Sequence, residues 1–148
     1  MRLWHQSLIP YLDRQRLLGQ HRECCALRGK GWGKPHTTVN YVFDHSYNDL
    51  YFYHSVVMSE MYKRKYYELD SQWFNVNYRG KNLTKDINND YMSLYEYASQ
   101  ISSNDIIYPE HNYEYLVECI DNLRDKGAPV DYDTISRLEE KYIRESQH

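Results

Sequence analysis

The clearest periodic signal in the chain begins after Ser46. Leu50, Tyr53, His54, Val57, Met58 and Met61 recur at i, i+3, i+4 and i+7, the repeat of one helix face. The pattern predicts an amphipathic helix from Leu50 to Lys65. Ser46 with Asp49 makes a capping-box-like start, and Lys63-Arg64-Lys65 suits a helix carboxyl end. A second helix is predicted from an N-cap at Asp13 to about Leu27, with Leu17, Leu18, Cys24, Cys25 and Leu27 as its buried stripe. A short apolar segment, Ser7 to Leu12, precedes it. Thr37 and Thr38 open a short helix through Phe43. Residues 66–90 read as polar loop with at most short helices, and Tyr91 to Ile101 as a helix with a tyrosine face. Pro109 fits a first helical position, and Leu116, Cys119, Ile120 and Leu123 follow as a core stripe that Gly127 and Pro129 close. Asp131 or Asp133 opens a last helix to about Arg144. No run alternates as a strand would, and no repeat is visible. The expectation is an all-α, compact single-domain helical bundle with long irregular loops.

Composition refines this picture. The chain of 148 residues is long enough for one domain with a real core. Seventeen residues are tyrosine, so the core should be tyrosine-rich, its hydroxyls reaching partners or the surface. None of the three cysteines has CxxC spacing, which argues against a zinc knuckle. An odd cysteine count without an apolar signal core suits a reducing compartment, so a cytoplasmic monomer is expected. No apolar run approaches a membrane span, and no membrane partner is expected.

Charge divides the chain. Residues 1–36 hold seven Lys and Arg against two Asp and Glu, whereas the rest holds eleven against nineteen. A basic head on an acidic body is the footprint of a phosphate binder rather than of a general DNA coater. The head ends in Arg28-Gly29-Lys30-Gly31-Trp32-Gly33-Lys34-Pro35-His36. This is not a P-loop, since the Gly-Lys-Ser/Thr ending is absent. Glycine permits close backbone approach to phosphate, with Lys30 and Lys34 supplying charge. Trp32 is either a wedge or stacking platform, or a tryptophan folded back onto the core. Arg79 and Lys81 are second-rank phosphate contacts.

The run Leu8-Ile9-x-x-Leu12, Gln15, Leu17-Leu18-Gly19-Gln20-His21-Arg22-Glu23 resembles the amino-terminal part of the pyrimidine-dimer DNA glycosylases, the endonuclease V-like family of bacteriophage. His36 with Val39 and Phe43, and the helix after Leu50, extend the resemblance over the first half of the chain. Met1-Arg2-Leu3-Trp4-His5 and Ile107-Tyr108-Pro109-Glu110-His111 resemble a group of small bacterial proteins assigned to that family by similarity. The resemblance implies an all-α fold and double-stranded damaged DNA as partner. It also implies an α-amine nucleophile that attacks the sugar of a damaged nucleotide, forms an imine and lets the strand break by elimination.

Carried over by residue, the nucleophile falls on the amine of Met1, and Glu23 handles protons at the sugar and stabilises the cationic intermediate. Arg2 and Arg22 become phosphate or base-opening contacts, and His21 stands at the family's aromatic position. Arg28, Lys30, Trp32, Lys34 and His36 complete the expected DNA-binding set. No cofactor or metal is expected. The phage enzymes expose a threonine after losing methionine, whereas the bulky Arg2 predicts that Met1 is retained here. Aligning Arg2 with the family's arginine puts Met1 at the threonine position with one gap; without a gap, Arg2 stands there. The family's basic carboxyl-terminal aromatic cluster has no counterpart in this acidic tail.

Two other readings stand beside the glycosylase with AP lyase activity. One is a non-catalytic nucleic-acid or nucleotide-binding helical module that kept the fold. The other, weaker, is a metal site drawn from His5, His21, His36, Glu23 and His54, although these histidines lack the spacing of a helical ligand pair. His54 itself reads as a satisfied core or groove histidine.

Overall fold

The protein is described here by a computed structural model, over residues 2–29, 40–67, 69–80 and 106–146. Among these, four α-helices carry the fold: α1 (Arg14–Arg28), α2 (Tyr47–Lys63), α3 (Tyr113–Asp125) and α4 (Tyr132–Ser146). Short 3-10 turns at Gln6–Tyr11, Asn40–Asp44 and Ser71–Phe74 connect them. No strand occurs among the described residues, as the absent two-residue alternation implies, and the all-α expectation is met. No helix among them is long and apolar enough to cross a membrane.

Three of the four helices start where a side chain takes orphaned backbone N–H groups. Ser46 accepts from Asn48 N at 3.0 Å, and α2 follows. Asp131 accepts from Asp133 N and Thr134 N and so opens α4. Asp13 stands at the N-cap of α1 as expected but does not cap with its carboxylate, which pairs with Arg16 at 3.2 Å instead. Pro109 does not begin α3. It lies in a turn closed by His111 N to Tyr108 O at 2.9 Å, and Asn112 caps the helix by accepting from Tyr115 N at 2.9 Å. Gly127 ends α3 at φ +62°, where a side chain would be strained. The predicted start at Thr37 and the helix over Tyr91 to Ile101 lie outside the described residues.

The stripe of α2 is buried as its repeat predicts: Leu50, Tyr53, His54, Val57, Met58 and Met61 are all fully enclosed. It packs on Leu17, Cys24 and Leu27 of α1, while Leu116, Cys119, Ile120 and Leu123 of α3 close the core with Ile135 of α4. Tyrosines supply much of the remaining volume, and their hydroxyls mostly meet carbonyls. Tyr53 donates to Trp4 O, Tyr51 to Phe74 O, and Tyr132 to Ala128 O. Tyr108 is an exception, its hydroxyl buried without a partner among the described residues.

Two histidines sit in this aromatic core. His5 and His111 stack with ring centres 5.4 Å apart, and both are almost wholly buried. Nδ1 of His111 accepts from Gln6 N at 3.0 Å, and Nδ1 of His5 accepts from Ser7 N at 3.1 Å. Each ring is therefore neutral, with its proton on Nε2; His111 Nε2 meets Tyr41 Oη at 2.7 Å. A second proton would face a backbone N–H. Burial pushes His5 down to about 4, and burial with the neighbouring His5 pushes His111 down to about 3.

A histidine titrates near pH ~6.5 in an unfolded chain. Between there and about 3 to 4 the unfolded state therefore binds more protons than the folded one. The stability these rings contribute is complete above pH ~6.5 and is lost as pH falls through that window. Thermal melts from pH 7.5 to 4 should show a falling midpoint, and His111→Gln should flatten the fall. A midpoint that holds or rises over this range would contradict the neutral, buried assignment.

Candidate active site

Residues Arg2 to His5 form an extended arm laid against α1, α2 and α3. An arm without a partner strand needs other groups to satisfy its backbone. Gln20 of α1 does most of this. Its Oε1 accepts from Trp4 N at 2.6 Å, and its Nε2 donates to Arg2 O at 3.2 Å. Tyr53 of α2 donates its single proton to Trp4 O at 2.6 Å, with Gln20 Oε1 also at 3.0 Å. Tyr115 of α3 donates to Leu3 O. A primary amide suits Gln20's position because its C=O and NH2 set an acceptor and a donor side by side, matching Trp4 N and Arg2 O. Leu3 is fully buried and Trp4 is 7% exposed, so packing and hydrogen bonding fix the arm together.

Glu23 lies one helical turn beyond Gln20, on the same flank of α1. It is 8% exposed, an uncommon degree of burial for a carboxylate. Arg22 is exposed and projects about 100° away around the helix. Gly19 sits one turn before both. A methyl group built there would lie 3.8 Å from Arg22 Nη2 and touch no other group. The helix surface is thus low between the arginine and the glutamate. Arg2 turns toward α3, its Nη1 3.2 Å from Glu118 Oε1 at the surface.

Of the expected site residues, the structure brings Arg2 and Glu23 to one side of α1, with Arg22 on its open edge. His21 projects about 160° away from Glu23 and faces α2. There its Nδ1 is 2.9 Å from His54 Nε2. Burial, then Arg22 and Arg28, hold His21 down to about 4, so it acts as a neutral ring. Met1, Lys30, Trp32, Lys34, His36 and Lys81 lie outside the described residues.

Arg28 departs from the role expected of it. It is fully buried, and its five N–H donors are all engaged. Nε donates to Tyr47 Oη at 2.9 Å; Nη1 to His54 Nδ1 at 2.8 Å and Trp73 O at 2.7 Å; Nη2 to Asn75 O at 2.9 Å and, more weakly, Tyr78 O at 3.5 Å. The rings of Tyr51 and Trp73 lie 5.0 Å from the guanidinium carbon. No donor is left for a phosphate. The charge instead ties α1 to α2 and to the segment that follows it. Arg79, also expected at phosphate, stacks at 3.7 Å over the Tyr47 ring and donates to Val76 O.

In the sequence Gln20 stands out only as part of the run Leu17 to Glu23, and Tyr53 only on a core stripe. Tyr115 it missed. The available signal for Gln20 was a long amide among the apolar positions of α1, where burial demands partners.

Two substitutions test these assignments. Gln20→Ala leaves Trp4 N and Arg2 O without partners. It should cost about 1–3 kcal/mol in urea unfolding and speed hydrogen exchange at the Trp4 amide selectively; unchanged exchange there would mean the arm is held by packing alone. Arg28→Lys offers three donors for five acceptors in a buried site, and a loss of about 3 kcal/mol or more is expected. A lysine variant within about 0.5 kcal/mol of wild type would refute the tie.

A profile of the family described as pyrimidine dimer DNA glycosylase matches residues 1–75, just over half of the chain. The matched part contains the arm, α1, α2 and the Ser71–Phe74 turn, and so every contact that fixes the flank of Glu23 except that from Tyr115. No curated protein and no solved structure matches significantly. The match covers just over half of the chain, and the chain belongs to the pyrimidine dimer DNA glycosylase family.

Proposed function

We infer that this protein cleaves the glycosidic bond of a pyrimidine dimer or related lesion in double-stranded DNA, and then the strand, through an imine on its own amino terminus. The observation that carries this reading is the arm: Arg2 O is tied to Gln20, one turn from the buried Glu23. In this reading the α-amine of Met1, the residue joined to Arg2, is the nucleophile offered to Glu23.

An α-amine titrates near pH ~7.7–8.0, so a useful fraction is uncharged at neutral pH. A lysine, starting near ~10.4, would need a far larger shift. In this reading the amine nitrogen attacks C1′, the base departs with the bonding pair, and the opened sugar becomes an imine. Glu23 accepts a proton from C2′, and the 3′ phosphate leaves. The carboxylate also stabilises the cationic iminium. Arg22, exposed beside the Gly19 gap, serves as a phosphate contact that draws the sugar toward Glu23, and Arg2 exchanges Glu118 for a phosphate when DNA docks.

Glu23→Gln keeps size and hydrogen bonding but removes the base. Duplexes with one cyclobutane dimer should be bound by the variant about as well as by wild type, while incision falls at least ~100-fold, the usual scale of general-base catalysis. Normal turnover by the variant would remove Glu23 from the mechanism. Salt-sensitive binding by wild type without any incision would favour the non-catalytic reading.

A further inference from the structure

The flank of α1 opposite Glu23 carries a second cluster that the glycosylase reading does not use. His21 and Cys25 are four residues apart on α1, the spacing that brings two side chains to one face of a helix. His54 faces them from α2. His21 Nδ1 is 2.9 Å from His54 Nε2, and Cys25 Sγ is 3.8 Å from each of these nitrogens. One ligand atom from each residue lies within 4.8 Å of the others. His54 is enclosed and Cys25 is only partly so, which leaves the thiol side of the cluster toward solvent.

We propose that His21, Cys25 and His54 form a binding site for a borderline-soft divalent cation of the zinc class, with three protein ligands and an open fourth position. Nitrogen ligands sit about 2.0–2.1 Å and thiolate about 2.3 Å from such an ion, so neighbouring donors on one tetrahedral centre stand roughly 3.3–3.7 Å apart. The two sulfur–nitrogen gaps already have about that size. Only the nitrogen–nitrogen gap must open, by a few tenths of an ångström, and the hydrogen bond across it is what the cation replaces. Two imidazole-ring nitrogens and one thiolate sulfur are borderline and soft donors that favour zinc or cobalt over magnesium or calcium.

The tautomers define what has to leave. Arg28 Nη1 donates to His54 Nδ1, so His54 carries its proton on Nε2 and gives it to His21 Nδ1. His21 therefore binds the cation through a lone pair already free of protons. Binding sends the Cys25 thiol proton and the His54 Nε2 proton to solvent, which leaves His54 as an imidazolate held between the cation and the Arg28 guanidinium. Two displaced protons and a nearby fixed positive charge make the site exchangeable rather than permanent. Of these three, His21 and His54 are among the candidate ligands read from the sequence and Cys25 is not, because the helical pair here is one histidine and one cysteine rather than two histidines.

The test is titration of the reduced, intact protein with cobalt(II) chloride, followed by zinc. The expected result is one cobalt per chain with a near-ultraviolet thiolate-to-metal charge-transfer band that stoichiometric zinc abolishes. Cys25→Ser should lose the band, and His21→Gln should weaken binding more than about tenfold, with circular dichroism confirming that both remain helical. Absence of the band from wild type overturns the proposal. So does a band that survives Cys25→Ser, or cobalt bound without thiolate ligation. None of these readouts depends on DNA incision, so failure here and failure of the repair reading are separable.

Discussion

The Gln20 side-chain amide is the constraint on which the functional flank depends. The Arg2–His5 arm has no partner strand to hold it, and each residue fixed costs about 1–2 kcal/mol of backbone entropy. The amide offsets that cost by bonding the arm at two points, Trp4 N and Arg2 O, while Tyr53 and Tyr115 take the carbonyls of Trp4 and Leu3. Because these bonds are buried, they leave the arm few alternative positions. Residues Arg2 to His5 thereby become a fixed part of the structure, next to the helix that carries Glu23.

Helix α1 thereby serves two sides. Toward the arm it presents Gln20 and the enclosed Glu23. Toward α2 it presents His21, Cys25 and Arg28, where the buried guanidinium orders the His54 ring and the backbone of Trp73 and Asn75. Its open edge shows Arg22. These assignments follow from the 100° step between residues, so neighbours in sequence as close as His21, Arg22 and Glu23 do different work.

The fold was largely legible in the sequence, and the site only in part. The α2 stripe and its Ser46 cap are local features, and local periodicity reports them. Glu23 and Arg22 were found through the family motif. Arg28 was misread for a physical reason: a basic residue at the mouth of a glycine-rich loop looks solvated, and its acceptors are carbonyls near residue 75, some 50 positions away in sequence. Pro109 was misread because a proline satisfies the rules for a turn as well as those for a first helical position, and Asn112 offered the better cap. Contacts between Tyr115 and Leu3, or His111 and Gln6, span more than a hundred residues and leave no local trace.

The central claim, an uncharged chain-terminal amine acting beside Glu23, is tested most directly by locating a covalent adduct. The protein is incubated with an abasic-site duplex, reduced with borohydride, digested and mapped by mass spectrometry. The account predicts a reduced sugar adduct on the α-amine of the first residue. An adduct on a lysine side chain, or no adduct while the strand is still cut, would contradict it.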